Sequence, residues 1–154
     1  MNRIAQLLPE ANIMLGVEAG TKKQLFEQIA QLLEQRAQLP RGEVLASLSA
    51  REQLGSTGLG QGIAIPHGRL RGLKTALGAF VRPREAIPFD APDGKPVAQV
   101  FALLVPEQAT DEHLQLLSEL AEMFSEQEFR DRIAAATDAV DVHRLFHDWI
   151  PEPQ

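Results

Sequence analysis

The sequence predicts an α/β fold, a three-layer sandwich with helices on both faces of a small sheet. Three observations carry that reading. Thr75–Val81 (TALGAFV) and Val97–Val105 (VAQVFALLV) have the length and apolar continuity of strands buried on both faces. Segments with apolar residues three and four apart lie before and after them. The two kinds of segment are mixed along the chain, and 154 residues suit one domain, placed at 4–150 with a short tail at 151–154.

In chain order, Ala11–Val17 (ANIMLGV) is short and apolar and reads as a strand. Thr21 is placed as an N-cap. Leu25, Phe26, Ile29, Leu32 and Leu33 follow at helical spacing, so a helix is expected from Lys22 to about Arg36. Pro40 interrupts, and a second helix is expected over Gly42–Glu52 with Val44, Leu45 and Leu48 inward. A glycine-rich stretch ends it, and Ile63–Pro66 reads as a short strand stopped by its proline. The two buried strands are separated by RPREAIPFDAPDGKP, a loop with a turn at Asp93-Gly94.

Three helices close the chain. Thr110 caps the first, with Asp111 and Glu112 at its positive end and Leu114, Leu117, Leu120, Ala121 and Phe124 as its inner stripe. Ser125 and Glu128 read as a capping box for the next helix. Thr137 or Asp138 opens the last, which Pro151 closes after Ile150. Periodicity does not give the strand order.

Composition narrows the function classes. Apolar residues make up 44% and charged residues 23%, the balance of an ordinary globular domain. The net charge of −6, with no basic stripe, argues against a nucleic-acid partner. The absence of cysteine removes disulfide and thiol chemistry and fits a reducing compartment. The N-terminal stretch MNRIAQLLPEAN has neither a continuous apolar core nor a small-residue cleavage site, so no signal peptide is read there. The longest apolar run, Val100–Val105, is too short to span a bilayer. The expectation is a cytoplasmic protein without membrane insertion.

The stretch GSTGLGQGIAIPHGRL, Gly55–Leu70, holds the densest chemistry. Its glycines fail the dinucleotide fingerprint, because a helix precedes them and a strand follows. The stretch lacks the P-loop lysine and the nucleophile-elbow spacing. What remains is a loop with accessible backbone N–H groups at Gly58 and Gly60 and two hydroxyls, Ser56 and Thr57, able to hold an oxyanion. A flexible turn is the competing reading.

His67 stands between Pro66, which stops the sheet ladder, and Gly68, which removes bulk. An imidazole placed so is a competent nucleophile near neutral pH. It needs a partner that sets its tautomer and a donor for the transferred group. His113, in the first turn of a helix, is one candidate donor; an ordinary surface histidine is the alternative. Arg51, at the end of the second helix, is another; a cation simply complementing a helix C-terminus is its alternative. Leu54, Leu59 and Leu70 are read as an apolar rim for a docking partner. His143 and His147 are four apart on one helix, but no third ligand accompanies them, and no metal is expected. No carboxylate pair has the apolar setting needed for acid–base work.

REQLGSTGLGQGIAIPHG (Arg51–Gly68) closely resembles the active-site segment of the fructose/mannitol-type enzyme IIA proteins of the bacterial phosphotransferase system. FALLVP (Phe101–Pro106) followed by DEHLQLLSELA (Asp111–Ala121) resembles that family's second hallmark. The resemblance runs in order from about Ile4 to Ile150, and its nearest branch is the nitrogen-regulatory one.

The resemblance implies a mixed sheet of about five strands and no cofactor beyond a covalent phosphohistidine. It implies that His67 is phosphorylated on Nε2, with His113 as second active-site histidine and Arg51 near the phosphate. Ser56 and Thr57 match the family's loop hydroxyls. The implied donor is a histidine-phosphorylated carrier protein of the nitrogen-related system. The implied outputs are regulated targets such as kinases, transporters or metabolic enzymes. Two other outcomes stay open: a sugar-specific enzyme IIA that passes phosphate to a transporter IIB domain, and a regulator that acts by binding alone.

Overall fold

The computed structural model describes residues 3–108 and 110–151. Its sheet comprises β1 (Ile13–Val17), β2 (Gly58–Gly60), β3 (Ile63–Ala64), β4 (His67–Leu70), β5 (Leu77–Pro83) and β6 (Gln99–Pro106). The helices are α1 (Arg3–Gln6), α2 (Lys22–Ala37), α3 (Arg41–Gln53), α4 (Asp111–Ser125), α5 (Gln127–Ala135) and α6 (Ala139–Asp148). The strand order is β1-β5-β6-β3-β2, and β4 also pairs with β6. β5 is antiparallel to β6, while β3 and β4 run parallel to it, so the sheet is mixed.

The expected α/β sandwich is observed, and the alternation of β6 shows how it is built. Phe101 and Leu103 join a core with α1, α4, α5 and α6. Val100, Ala102 and Leu104 join a second core with α2 and α3. A strand covered on both faces needs apolar residues at every position, hence its unbroken run. Phe146 of α6 anchors the first core edge-to-face, with ring centroids 5.4 Å from both Phe101 and Phe129.

Local signals placed several elements well. Thr21 caps α2, its hydroxyl accepting the Gln24 amide at 3.1 Å. Asp138 caps α6, accepting the Asp141 amide at 2.8 Å. The Asp93-Gly94 turn forms, with the Gly94 amide bonded to Ala91 O at 2.9 Å.

Others differ. The first strand starts at Ile13, because Glu10–Asn12 form a 3-10 turn after Pro9. The glycine-rich stretch is not only loop: Gly58–Gly60 is a strand, antiparallel to β3. The Ser125–Glu128 capping box is absent. Ser125 is the last residue of α4, and its hydroxyl donates to Glu122 O at 2.6 Å, leaving Glu126 as the cap. The inner face of α4 carries Leu116, Leu120, Met123 and Phe124, while Leu114 is 57% exposed. α4 has two adjacent apolar stripes, and the neighbouring helices cover only one. The last helix stops at Asp148, short of Ile150. The Glu112 side chain and tail residues 152–154 lie outside the described part.

Candidate active site

Pro66 divides what would be one strand into β3 and β4 without shifting its register on β6: Ala64 faces Val100, and His67 faces Leu103. His67 therefore opens a strand instead of ending one. Directly paired residues share a sheet face, so His67 lies on the Leu103 face, toward α4. Gly68 and Leu70 point the other way, toward α2 and α3. Among the described residues β4 pairs only with β6. The His67 ring thus stands half-buried at an open edge, in a groove of about 460 Å³ between α3 and α4.

The groove gathers Arg51, Leu54, His67, His113, Leu114 and Leu117. The three polar residues come from three elements far apart in the chain, α3, β4 and α4.

Hydrogen bonds set the chemistry of both imidazoles. The Ile65 carbonyl lies 2.9 Å from His67 Nδ1. A carbonyl only accepts, so Nδ1 carries the proton and Nε2 keeps its lone pair. Burial, the largest influence, pushes the His67 pKa below the usual 6.5; the Ile65 bond raises it, Arg51 lowers it and Glu52 raises it. The ring is therefore a neutral nucleophile at pH 7. At His113 the arrangement is reversed. The Thr110 amide donates to Nδ1 at 3.1 Å, so the ring's proton sits on Nε2, a donor instead of a base.

Arg51 uses one N–H to hold Gly55 O, in the loop just past the end of α3, at 2.9 Å. A guanidinium has five N–H donors, so this bond orients the group without consuming it. Ser56, Thr57 and Gly58 line a smaller pocket of about 180 Å³ together with Arg51 and His67, and their polar groups are also bonded within the loop. The Ser56 hydroxyl donates to Phe89 O at 2.8 Å and accepts the Gly58 amide at 3.1 Å. The Thr57 amide and hydroxyl both bond Glu52. These groups, with Gly58, hold the loop itself. Gly60 sits at the hairpin tip beside Asp93, which accepts the Gln61 amide at 2.9 Å.

Of the expected rim, Leu54 is 84% and Leu59 45% exposed, but Leu70 is 3% exposed. Leu70 is a correction: strand alternation from His67 turns it into the α2–α3 core. Leu114 and Leu117 take its place beside the groove. Periodicity assigned both to the interior, and Leu117 does pack, partly buried, against the first core while Leu114 is exposed. Glu52 was missed as well. Its signal was an acidic residue at a helix C-terminus, where the dipole disfavours it. His143 and His147 lie on α6, and His147 pairs with Asp148 at 2.9 Å. Among the described residues no three His, Cys, Asp or Glu side chains gather as a metal site, and no helix is long and apolar enough to cross a membrane.

An imidazole with an unprotonated Nε2 shares one groove with a guanidinium and a second imidazole, an arrangement chemically able to take up and stabilise a phosphoryl group. The family "Phosphoenolpyruvate-dependent sugar phosphotransferase system, EIIA 2" matches residues 6–149, and the chain belongs to it. It is thus a phosphotransfer component of that system. A nitrogen regulatory protein of Pseudomonas aeruginosa is 42% identical over 96% of this chain and 97% of its own length. The fructose-specific EIIABC component of Bacillus subtilis is 30% identical over 90% of this chain but only 22% of its own. The crystal structure of nitrogen regulatory protein IIA-Ntr from Neisseria meningitidis superposes with a TM-score of 0.88 at 51% identity, covering 94% of this chain and 99% of that one. Mannitol IIA of Escherichia coli, at 23% identity and a TM-score of 0.71 over 89% of this chain and 96% of that one, shares the fold.

Proposed function

We propose that His67 Nε2 accepts a phosphoryl group from a histidine-phosphorylated carrier protein of the nitrogen-related phosphotransferase system. The observation that carries this is the Ile65 carbonyl on Nδ1, which leaves Nε2 unprotonated in a groove shared with Arg51 and His113.

In the transfer, the Nε2 lone pair attacks phosphorus in line while the P–N bond to the carrier's imidazole breaks. That imidazole leaves with the electron pair. No proton leaves His67, because its only N–H is on Nδ1. As the ring gains positive charge, the Nδ1–H bond to Ile65 strengthens. The Arg51 guanidinium and the His113 Nε2–H meet the charge on the phosphoryl oxygens, and such positioned donors are the main contribution a protein makes to phosphoryl transfer. No cofactor is required; the intermediate is the covalent phosphohistidine. The carrier docks on the leucines that rim the groove, Leu54, Leu59 and Leu114, because transient interfaces need an apolar centre.

The two charge states of His67 then differ by a dianionic group set among exposed leucines. That contrast makes phosphorylation a switch for target proteins in the cytoplasm, with nitrogen, potassium or carbon metabolism as the field of regulation. The similarity to nitrogen regulatory proteins along nearly the whole chain supports this output.

The test is phosphoryl transfer from phosphoenolpyruvate through enzyme I and the carrier protein, read by intact mass and site mapping. An acid-labile phosphate on His67, lost in His67→Ala, is the expected result. Undiminished labelling of His67→Ala refutes the assignment.

A further inference from the structure

The transfer chemistry leaves without a role a partly buried ion pair, Lys22–Glu52. Glu52 is 8% exposed at the C-terminal end of α3, where the helix dipole disfavours an anion. Lys22 opens α2, where the dipole disfavours a cation, and no acidic residue lies in that first turn to compensate. Each charge occupies the unfavourable end of its own helix, and the two meet at 2.9 Å. Well-packed apolar residues would fill this space without the desolvation cost of two ions.

The contacts of Glu52 give the pair a purpose. Its carboxylate accepts the Thr57 hydroxyl at 2.5 Å and the Thr57 amide at 3.1 Å. The Thr57 carbonyl accepts the Ile65 amide at 3.0 Å. The Ile65 carbonyl is the group that accepts His67 Nδ1–H. Successive hydrogen bonds, joined through the covalent backbone of Thr57 and Ile65, therefore link the Lys22–Glu52 pair to the His67 ring. Lys22 Nζ also sits 4.6 Å from the centroid of the Phe89 ring and 3.7 Å from Asp90, which ties the pair to the loop between β5 and β6.

We propose that Lys22 and Glu52 are positioning residues of the phosphoryl site. Acting through Thr57 and Ile65, they hold His67 with Nε2 free, and the balance of their two charges sets how firmly the site keeps its phosphoryl group. The inference rests on the phosphocarrier reading of His67. Among the described residues, the charged and titratable groups facing that ring are Arg51 and Glu52 from α3, Arg69 on β4 and His113 on α4. Within this set, only Glu52 is an anion, and Lys22 offsets it. Removing Lys22 leaves an uncompensated negative charge, which disfavours a bound dianion. Removing the charge of Glu52 leaves Lys22 with only the exposed Asp90, 3.7 Å away, as counter-ion, and this net gain of positive charge favours it.

The experiment compares Lys22→Met, Glu52→Gln and the double variant with the parent chain. Ring titration of His67 is followed by NMR in the unphosphorylated proteins. The phosphorylation equilibrium is then measured against a fixed ratio of phosphorylated to free carrier protein. Lys22→Met should raise the His67 pKa and lower the equilibrium constant by about threefold or more, the scale of one unit charge at a partly screened distance. Glu52→Gln should do the opposite, and the double variant should return toward the parent. Structural damage would move both single variants in one direction and the double further still; that pattern, or no movement, overturns the proposal.

Should Glu52→Gln not fold, Lys22→Arg, which keeps the charge, serves as the control. Parent-like behaviour beside a shifted Lys22→Met supports the proposal, and equal behaviour of the two overturns it. The titration needs no phosphoryl donor. An unlabelled parent chain therefore refutes the carrier reading separately, while opposed His67 shifts still test the coupling.

Discussion

Gly68→Ala is a one-methyl perturbation whose cost follows from the structure. A Cβ at Gly68 would lie 2.1 Å from the Ser47 hydroxyl oxygen and 3.1 Å from the Ser47 carbonyl carbon and oxygen of α3. The hydroxyl cannot stay where it is, so its 2.7 Å bond to Arg69 O breaks, at about 1 kcal/mol. Rotation of Ser47 does not relieve the backbone contact. α3 must retreat from β4 by a few tenths of an ångström, and overpacking of this kind costs about 1–3 kcal/mol. The sum is about 2–4 kcal/mol, which for a chain of this length lowers Tm by roughly 5–15 °C.

The same retreat moves Arg51, near the end of α3, away from His67, so phosphoryl uptake slows as well. Thermal unfolding and a timed labelling assay read the two effects. Gly68→Ala with Ser47→Ala should recover part of the stability, because the closest contact is then gone. If Gly68→Ala unfolds at the parent temperature and labels at the parent rate, close helix approach is not the reason for this glycine.

Two further outcomes follow from the same geometry. Uptake by His67 should stay flat from pH 8 through neutrality and fall only below the ordinary histidine range near 6.5. Burial lowers the pKa and so delays the protonation that removes the Nε2 lone pair. A pH–rate profile checks this, and a midpoint above 6.5 contradicts it. Leu54→Asp, at a side chain 84% exposed, should leave unfolding unchanged within about 0.5 kcal/mol. It should raise the KM for the phosphorylated carrier at least about threefold, since docking buries this leucine. An unchanged KM would place the carrier elsewhere.

Elements governed by near neighbours were legible in the sequence. Thr21 and Asp138 announce their helices because an N-cap bond spans only three residues. The apolar run of β6 announces a doubly covered strand for the same local reason. Misreadings came where two local patterns competed. On α4 the expected stripe of Leu114, Leu117, Leu120, Ala121 and Phe124 is right at Leu120 and Phe124, but Leu116 and Met123 fit helical spacing with them equally well and are buried where Leu114 is exposed. Ser125 satisfies a capping-box pattern, yet the preceding helix continues through it. Gly68 was read as making room for the imidazole. The room is needed on the opposite face, by Ser47 of a helix some twenty residues earlier.

The sequence by itself determined the α/β class, most of the helices and the segment from Arg51 to Gly68 that carries the site, because these rest on spacing and on short contiguous motifs. The tertiary structure alone decided which nitrogen of each imidazole holds its proton, since Ile65 O and the Thr110 amide act only once backbone geometry is set. It alone buried Leu70 and exposed Leu114. Whether a leucine meets water depends on which element covers its face, and the covering element lies far away in the chain. Pairing of β4 with β6 put His67 between α3 and α4. That pairing is a long-range contact, and no window along the chain contains both of its partners.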